Sequence, residues 1–134
     1  MDGVVPRLRL LGAHRGHRLA VMRGENKILI VEDNPVICRE MEELFNCDCA
    51  TDGWDAIEKL EASDYAAIVI DADVARHSGY GVLTYLREEN EELTNVILMT
   101  SSDCAAVQRR VGGRPQVVGK AAAVDELTRL LAAG

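Results

Sequence analysis

Brief apolar runs separated by amphipathic stretches recur five times between Lys27 and the C-terminus: KILIV (27–31), CDCA (47–50), AAIVI (66–70), NVILM (95–99) and PQVV (115–118). Runs of four or five residues bounded by turn formers, most of them rich in Val and Ile, read as buried strands. Between them the apolar residues fall at helical spacing. Asn34 followed by Pro35 is a helix-start signal, and Ile37, Met41, Leu44 and Phe45 carry that helix to about Phe45. The turn TDG (51–53) opens a second helix bearing Ala56, Ile57 and Leu60, and Val82, Leu83 and Leu86 give a third its apolar face. After TSSD (100–103), with Asp103 as a cap, a fourth helix runs through Val107, and Val124, Leu127, Leu130 and Leu131 close the chain as an amphipathic fifth.

Strands that alternate with helices over short connections predict parallel pairing, right-handed crossovers and helices on both faces. The fold class is therefore α/β, a flavodoxin-like, doubly wound five-stranded parallel sheet in the order 2-1-3-4-5 with five helices. Such sheets gather their reactive residues outside the carboxyl ends of the strands. Standing there are Glu32 and Asp33 after strand 1, Asp71 after strand 3, Thr100 after strand 4 and Lys120 after strand 5. Strands 1 and 3 are neighbours in this order, so their acids stand about 5 Å apart at the backbone, and a Lys stem largely spans the roughly 10 Å from strand 5 to strand 3. Two like charges at about 4 Å repel by roughly 4 kcal/mol at an effective dielectric of about 20. A hard divalent cation relieves that repulsion, and a few carboxylates with room for water and a phosphoryl oxygen suit Mg²⁺. Asp71, held by its strand beside the metal, is then a carboxylate nucleophile of the kind that forms an aspartyl phosphate. Glu32, Asp33 and Asp71 would hold Mg²⁺, which would neutralise one phosphoryl oxygen, while Lys120 would pair with a second and the Thr100 hydroxyl would bond a third. Asp73, two residues on, lies in the loop.

Composition narrows the setting. The apolar fraction is 48% with a single Phe, so the core is aliphatic, and 134 residues suffice for one domain. The net charge of −7 divides unevenly: residues 1–23 hold five Arg against one Asp, about +4, and the rest about −11. An acidic body excludes nucleic-acid binding through its general field. With neither a membrane span nor a secretory signal in the pattern, a cytoplasmic location is expected. The four cysteines, Cys38, Cys47, Cys49 and Cys104, lack paired C-x-x-C ligand spacing, and the cytosol disfavours disulfides. They are expected to be core or surface thiols. Residues 1–24 read as an Arg-rich tail, either disordered or an upstream extension with the true start at Met22, and residues 25–134 as the domain.

From Lys27 to about Ala133 the chain resembles the receiver domain of two-component response regulators, of the single-domain type. The likeness rests on ILIVEDN with its acidic pair, on Asp71 followed by a loop ending at Ser78 and Gly79, on VILMTS with Thr100, and on Lys120 after the fifth strand. The resemblance implies phosphotransfer to Asp71 from a sensor histidine kinase or a phosphotransfer protein, with the backbone carbonyl of Asp73 completing the Mg²⁺ shell. It implies a phosphoacceptor with self-catalysed phosphorylation and dephosphorylation, not a turnover enzyme. Output then passes to another protein, or to a homodimer partner, through helix 4, strand 5 and helix 5, with no nucleic-acid or membrane partner. Three positions depart from the family pattern: Ala75 and Ala121 replace common prolines, and Val117 replaces the switch aromatic. The segment from Asp33 to Asp71 is also several residues short.

Two other readings stand beside this one. A receiver-like module that signals by binding alone fits the missing aromatic and prolines. The run VIDADV also fits the D-x-D-x-V motif of haloacid-dehalogenase-type phosphatases, with Asp71 as nucleophile and Asp73 as general acid. That fold, however, places the motif on its first strand. His77 reads as an exposed loop histidine beside Asp71, and Ser102 as a neighbour of Thr100 facing solvent near the phosphoryl group. Asp73 is expected to tune the lifetime of the aspartyl phosphate, and Tyr80 and Tyr85 are expected to be packing residues.

Overall fold

A computed structural model describes residues 27–74, 78–89 and 93–133. In chain order the elements are β1 (Ile28–Val31), α1 (Pro35–Leu44), β2 (Cys47–Ala50), α2 (Gly53–Ala62), β3 (Ala67–Asp71), α3 (Ser78–Glu89), β4 (Val96–Thr100), α4 (Cys104–Val111), β5 (Gln116–Gly119), a 3₁₀ turn at Lys120–Ala122, and α5 (Ala123–Ala133). All four strand pairings are parallel and the order across the sheet is β2-β1-β3-β4-β5, the order the alternation predicts.

Side chains alternate across the pleat and build two cores. Leu29, Val31, Ile68, Ile70, Val96 and Leu98 face one layer, where Ala56 and Leu60 of α2, Val82, Leu83 and Leu86 of α3, and Val111 of α4 cover them. Ile28, Ile30, Ala67, Val69, Ile97 and Met99 face the other, under Met41 of α1 and Ala123 and Leu127 of α5. Every residue of β1, β3 and β4 is buried, as strands covered on both faces must be. Tyr80 and Tyr85 pack against the first core.

The helix starts follow from local chemistry. Asn34 caps α1 by accepting the Val36 N–H at 2.9 Å, and Pro35, which has no N–H to leave unpaired, occupies the first turn. Asp52 caps α2 through the Asp55 N–H at 2.8 Å. Asp103 caps α4 through the N–H groups of Ala105 and Ala106. The short segment between Asp33 and Asp71 is accommodated by two ten-residue helices and a four-residue strand.

Three expectations need correction or relocation. Asp71 and Thr100 do not lie just past their strands but end them, because Asp71 still pairs with Met99 and Thr100 with Gly119. Cys38 and Cys49 are not two core or surface thiols: they form a disulfide between α1 and β2. Their separation of eleven residues matches no short cysteine motif, and only the crossover that lays α1 over β2 brings them together. Cys47 and Cys104 are free. The Arg-rich tail at residues 1–24, and the positions of Ala75 and His77, lie outside the described residues.

Candidate functional site at the carboxyl edge of the sheet

Among the described residues the buried polar or charged side chains are Glu32, Asp71 and Thr100, at 1%, 1% and 0% exposure. All three end or follow central strands on one edge of the sheet. Burial of charge at a single spot in an aliphatic core is costly unless the groups are paired. The pairing is partial here, and the shortfall is informative.

Asp71 is held on both oxygens. Oδ1 accepts the Asp73 N–H at 2.8 Å, and Oδ2 lies 2.8 Å from the Lys120 ammonium, which reaches in from the 3₁₀ turn after β5. The same ammonium stands 3.9 Å from Glu32 Oε1 and 4.0 Å from Asp73 Oδ2. Desolvation works against the Lys120 charge, but the hydrogen bond and field of Asp71, with Glu32 and Asp73 behind it, outweigh that and raise its pKa.

Glu32 is turned inward from the end of β1. Its Oε2 accepts the Asn34 N–H at 3.1 Å, whereas Oε1 is buried without a hydrogen-bond partner. Burial first, and then the carboxyl-to-carboxyl contact with Asp71, push its pKa up to about 7. Asp33, the next residue, is exposed. One carboxylate oxygen from each of Glu32, Asp33 and Asp71 lies within 4.8 Å of the others. An all-oxygen cluster with an orphaned buried acceptor is the donor set of a hard divalent cation, so the residues fit Mg²⁺.

Thr100 and Asp73 form a second arrangement, across β3 and β4. The Thr100 hydroxyl donates to Asp73 Oδ1 at 3.1 Å and accepts the Ser102 N–H at 2.9 Å. Ser101 donates both its N–H and its hydroxyl to Asp73 Oδ2, each at 2.9 Å. Desolvation raises the Asp73 pKa, but the Ser101 and Thr100 donors and Lys120 more than offset it and hold the carboxyl below its usual range. The sequence pointed to Asp73, as a carbonyl ligand and as a charge that tunes the lifetime of the aspartyl phosphate. It missed Ser101 and the tie between the two, because no spacing in the sequence signals that two loops will touch.

The five residues picked out by their strand-end positions, Glu32, Asp33, Asp71, Thr100 and Lys120, therefore converge on one edge, and Asp73 from the loop joins them. The D-x-D pair begins at the end of β3 and not of a first strand, and the Asp73 carboxylate, in the turn that follows, is engaged by Thr100 of β4 and Ser101 just after it instead of being free to donate a proton. Val117 on β5 is half-buried against the first core. Ala121 lies in the turn that carries Lys120.

Comparisons with known proteins agree with this geometry. The model of the response regulator receiver domain matches residues 28–132. No curated protein sequence matches the chain. Among solved structures, the signal receiver domain of a signal transduction histidine kinase from Syntrophus aciditrophicus is 24% identical over 81% of this chain and 91% of its own, with a TM-score of 0.65. The receiver domain of a sensor histidine kinase from Pseudomonas aeruginosa PAO1, with a magnesium ion coordinated in its active-site cleft, is 23% identical over 80% of this chain and 98% of its own, at a TM-score of 0.65. The response regulator TrrA from Thermotoga maritima, in complex with Mg(2+)-BeF, is 24% identical over 81% of this chain and 97% of its own, at 0.64. Parallel order, two-faced core, strand-end acids and a family match across residues 28–132 lead to one conclusion: this chain belongs to the response regulator receiver domain family.

Proposed function

We propose that this receiver domain accepts a phosphoryl group on Asp71 from a sensor histidine kinase or a phosphotransfer protein, in a Mg²⁺-dependent reaction, and signals by protein–protein contact. One observation carries the reading: a buried Asp71 paired at 2.8 Å with Lys120, beside the orphaned Oε1 of Glu32. The magnesium ion in the Pseudomonas aeruginosa receiver and the Mg(2+)-BeF complex of TrrA support extending that cation to Glu32, Asp33 and Asp71 here, with the Asp73 carbonyl as a further ligand. When bound, the cation supplies neutralisation of the carboxylates and of the transferring phosphoryl oxygens.

The chain's own residues do the rest. The Asp73 N–H fixes Asp71 Oδ1, which orients the carboxylate. An Asp71 oxygen attacks phosphorus, a new P–O bond forms, and the P–N bond of a phosphohistidine donor breaks, with the imidazole leaving as the neutral base once protonated. Lys120 moves from Asp71 to a phosphoryl oxygen, and the Thr100 hydroxyl leaves Asp73 to bond another. The reading places the protein in the cytoplasm, and no described helix is long and apolar enough to cross a membrane. Partner contact, or a homodimer, is assigned to the face of α4, β5 and α5.

The half-buried Val117 in place of an aromatic favours one second reading, a module that signals without phosphorylation. Incubation with acetyl phosphate or phosphoramidate and Mg²⁺ separates the two. The mass of one phosphoryl group is expected on the wild-type chain, and none on Asp71→Asn or without Mg²⁺. An unmodified wild-type mass at saturating donor would establish the binding-only module.

A further inference from the structure

The two backbone-to-Glu32 hydrogen bonds come from segments that a disulfide joins. Its N–H donates to the carbonyl of Ala50, the residue after Cys49 in β2, at 2.9 Å. Its Oε2 accepts from the N–H of Asn34, the cap of α1, at 3.1 Å. Cys38 stands one turn into α1, and its own N–H donates to the Asn34 carbonyl at 3.1 Å. Cys49 lies opposite Ile30 in the β1–β2 ladder. The bridge between them spans Cα atoms 6.2 Å apart, within the usual range, and passes over the Glu32 carbonyl, with Cys38 Sγ at 3.4 Å and Cys49 Sγ at 3.9 Å from that oxygen.

We propose that Cys38 and Cys49 are a reversible thiol–disulfide pair that sets the affinity of the Glu32, Asp33 and Asp71 carboxylates for Mg²⁺, the oxidised form binding more tightly. The disulfide clamps the start of α1 to β2 on either side of Glu32 and so holds the carboxylate where its neighbours need it. Reduction removes the clamp. Two thiols need more room than one disulfide, so α1 and β2 separate, and each thiol becomes a weak donor able to bond the Glu32 carbonyl. A preorganised ligand binds better than one that must be ordered on binding.

The oxidant is a low-molecular-weight disulfide such as oxidised glutathione. One cysteine thiolate attacks a glutathione sulfur, that S–S bond breaks, and one glutathione thiolate leaves. The second cysteine then attacks the mixed disulfide and expels the other glutathione, so two electrons and two protons pass from the cysteines to two glutathione thiols. Half-buried Cys49 is open to the first attack. Cys47, two residues away on the same strand, is a poor competitor because burial pushes its thiol up to about 11. A reducing cytosol keeps such a pair open at rest, and oxidative conditions close it.

The proposal rests on the metal reading of the site, and its test separates the two. The full chain is equilibrated in reduced or oxidised glutathione and alkylated, and its peptides are weighed; Mg²⁺ affinity is then measured by calorimetry on each form. A peptide bridged between Cys38 and Cys49 is expected in oxidised glutathione only, with Mg²⁺ bound about fivefold more tightly in that form. By linkage, Mg²⁺ favours the disulfide by the same factor, about 20 mV for a two-electron couple. Cys38→Ser and Cys49→Ser, each checked for fold by circular dichroism, should show one affinity in both buffers, and Cys47→Ser should keep the difference. Absence of the bridged peptide, or equal Mg²⁺ affinity in the two forms, overturns the proposal alone. No Mg²⁺ binding by either form overturns the metal reading with it.

Discussion

At Asp73 the carboxylate accepts hydrogen bonds from the Thr100 hydroxyl and from the Ser101 N–H and hydroxyl, while the backbone N–H of the same residue holds Asp71 Oδ1. One residue thus fixes the Asp71 carboxylate with its main chain and occupies the hydroxyl of Thr100 with its side chain. An incoming phosphoryl group brings negative charge toward a carboxylate that already stands 4.0 Å from Lys120. Repulsion between unit charges at that distance runs from about 1 kcal/mol in water to about 4 kcal/mol at an effective dielectric of about 20. Asp73→Asn removes the charge and keeps the shape. Phosphorylation by acetyl phosphate should quicken about tenfold, equivalent to about 1.4 kcal/mol, and the phosphorylated form should last longer. Rates of uptake and decay equal to wild type, followed by intact mass, would show that the Asp73 charge has no such role.

Element by element, the load is carried unequally. α5 sets Leu127, fully buried, into the core shared by β1, β3 and β4, and the turn leading into it delivers Lys120. Leu44 at the end of α1 is 60% exposed. Leu127→Ala should therefore cost about 2–5 kcal/mol through lost burial and the cavity left behind. The same change at Leu44 should stay within about 0.5 kcal/mol. Urea denaturation of both variants checks the contrast, and comparable losses would mean that α5 is not packed as described. On the other face of the sheet, α3 and α4 are tied by Arg110 over the Tyr80 ring, 4.6 Å from its centroid, and by Arg87 donating to the carbonyls of Val111 and Arg114. These contacts tie α3 to α4 and to the segment that leads into β5.

For the molecule as a whole, the crowded acids make stability depend on pH and on metal. Without metal the folded state holds the Glu32 proton up to about pH 7, whereas the unfolded chain gives it up near 4.5. Between these values the folded state binds more protons, so stability falls as pH rises. The contribution is fully present below about 4.5 and lost as pH passes through 7. On the proposed function, Mg²⁺ that binds only the folded arrangement should reverse the loss, adding about 2.7 kcal/mol at a hundred times its dissociation constant. Metal-free protein should thus show a falling urea midpoint between pH 5 and pH 8, flattened in Glu32→Gln, and Mg²⁺ at pH 8 should raise the midpoint of wild type but not of Asp33→Asn. A midpoint at pH 8 that ignores Mg²⁺ would contradict this.

Much of this was legible in the residues alone. Strand and helix periods differ, so the runs from 27–31 to 115–118 and the capped helices between them declare a parallel α/β sheet, and the rule that strand ends collect chemistry points to Glu32, Asp33, Asp71, Thr100 and Lys120. Those inferences are local: each needs only spacing, or a polar residue where an apolar run stops. What only the tertiary structure decided involves segments distant in sequence. The reach of Asp73 across 28 residues to Ser101, the orphaned Oε1 of Glu32 and the Cys38–Cys49 bridge all depend on how crossovers set loops and helices side by side. Sequence patterns carry the period of an element but not the distance between two of them, which packing alone fixes.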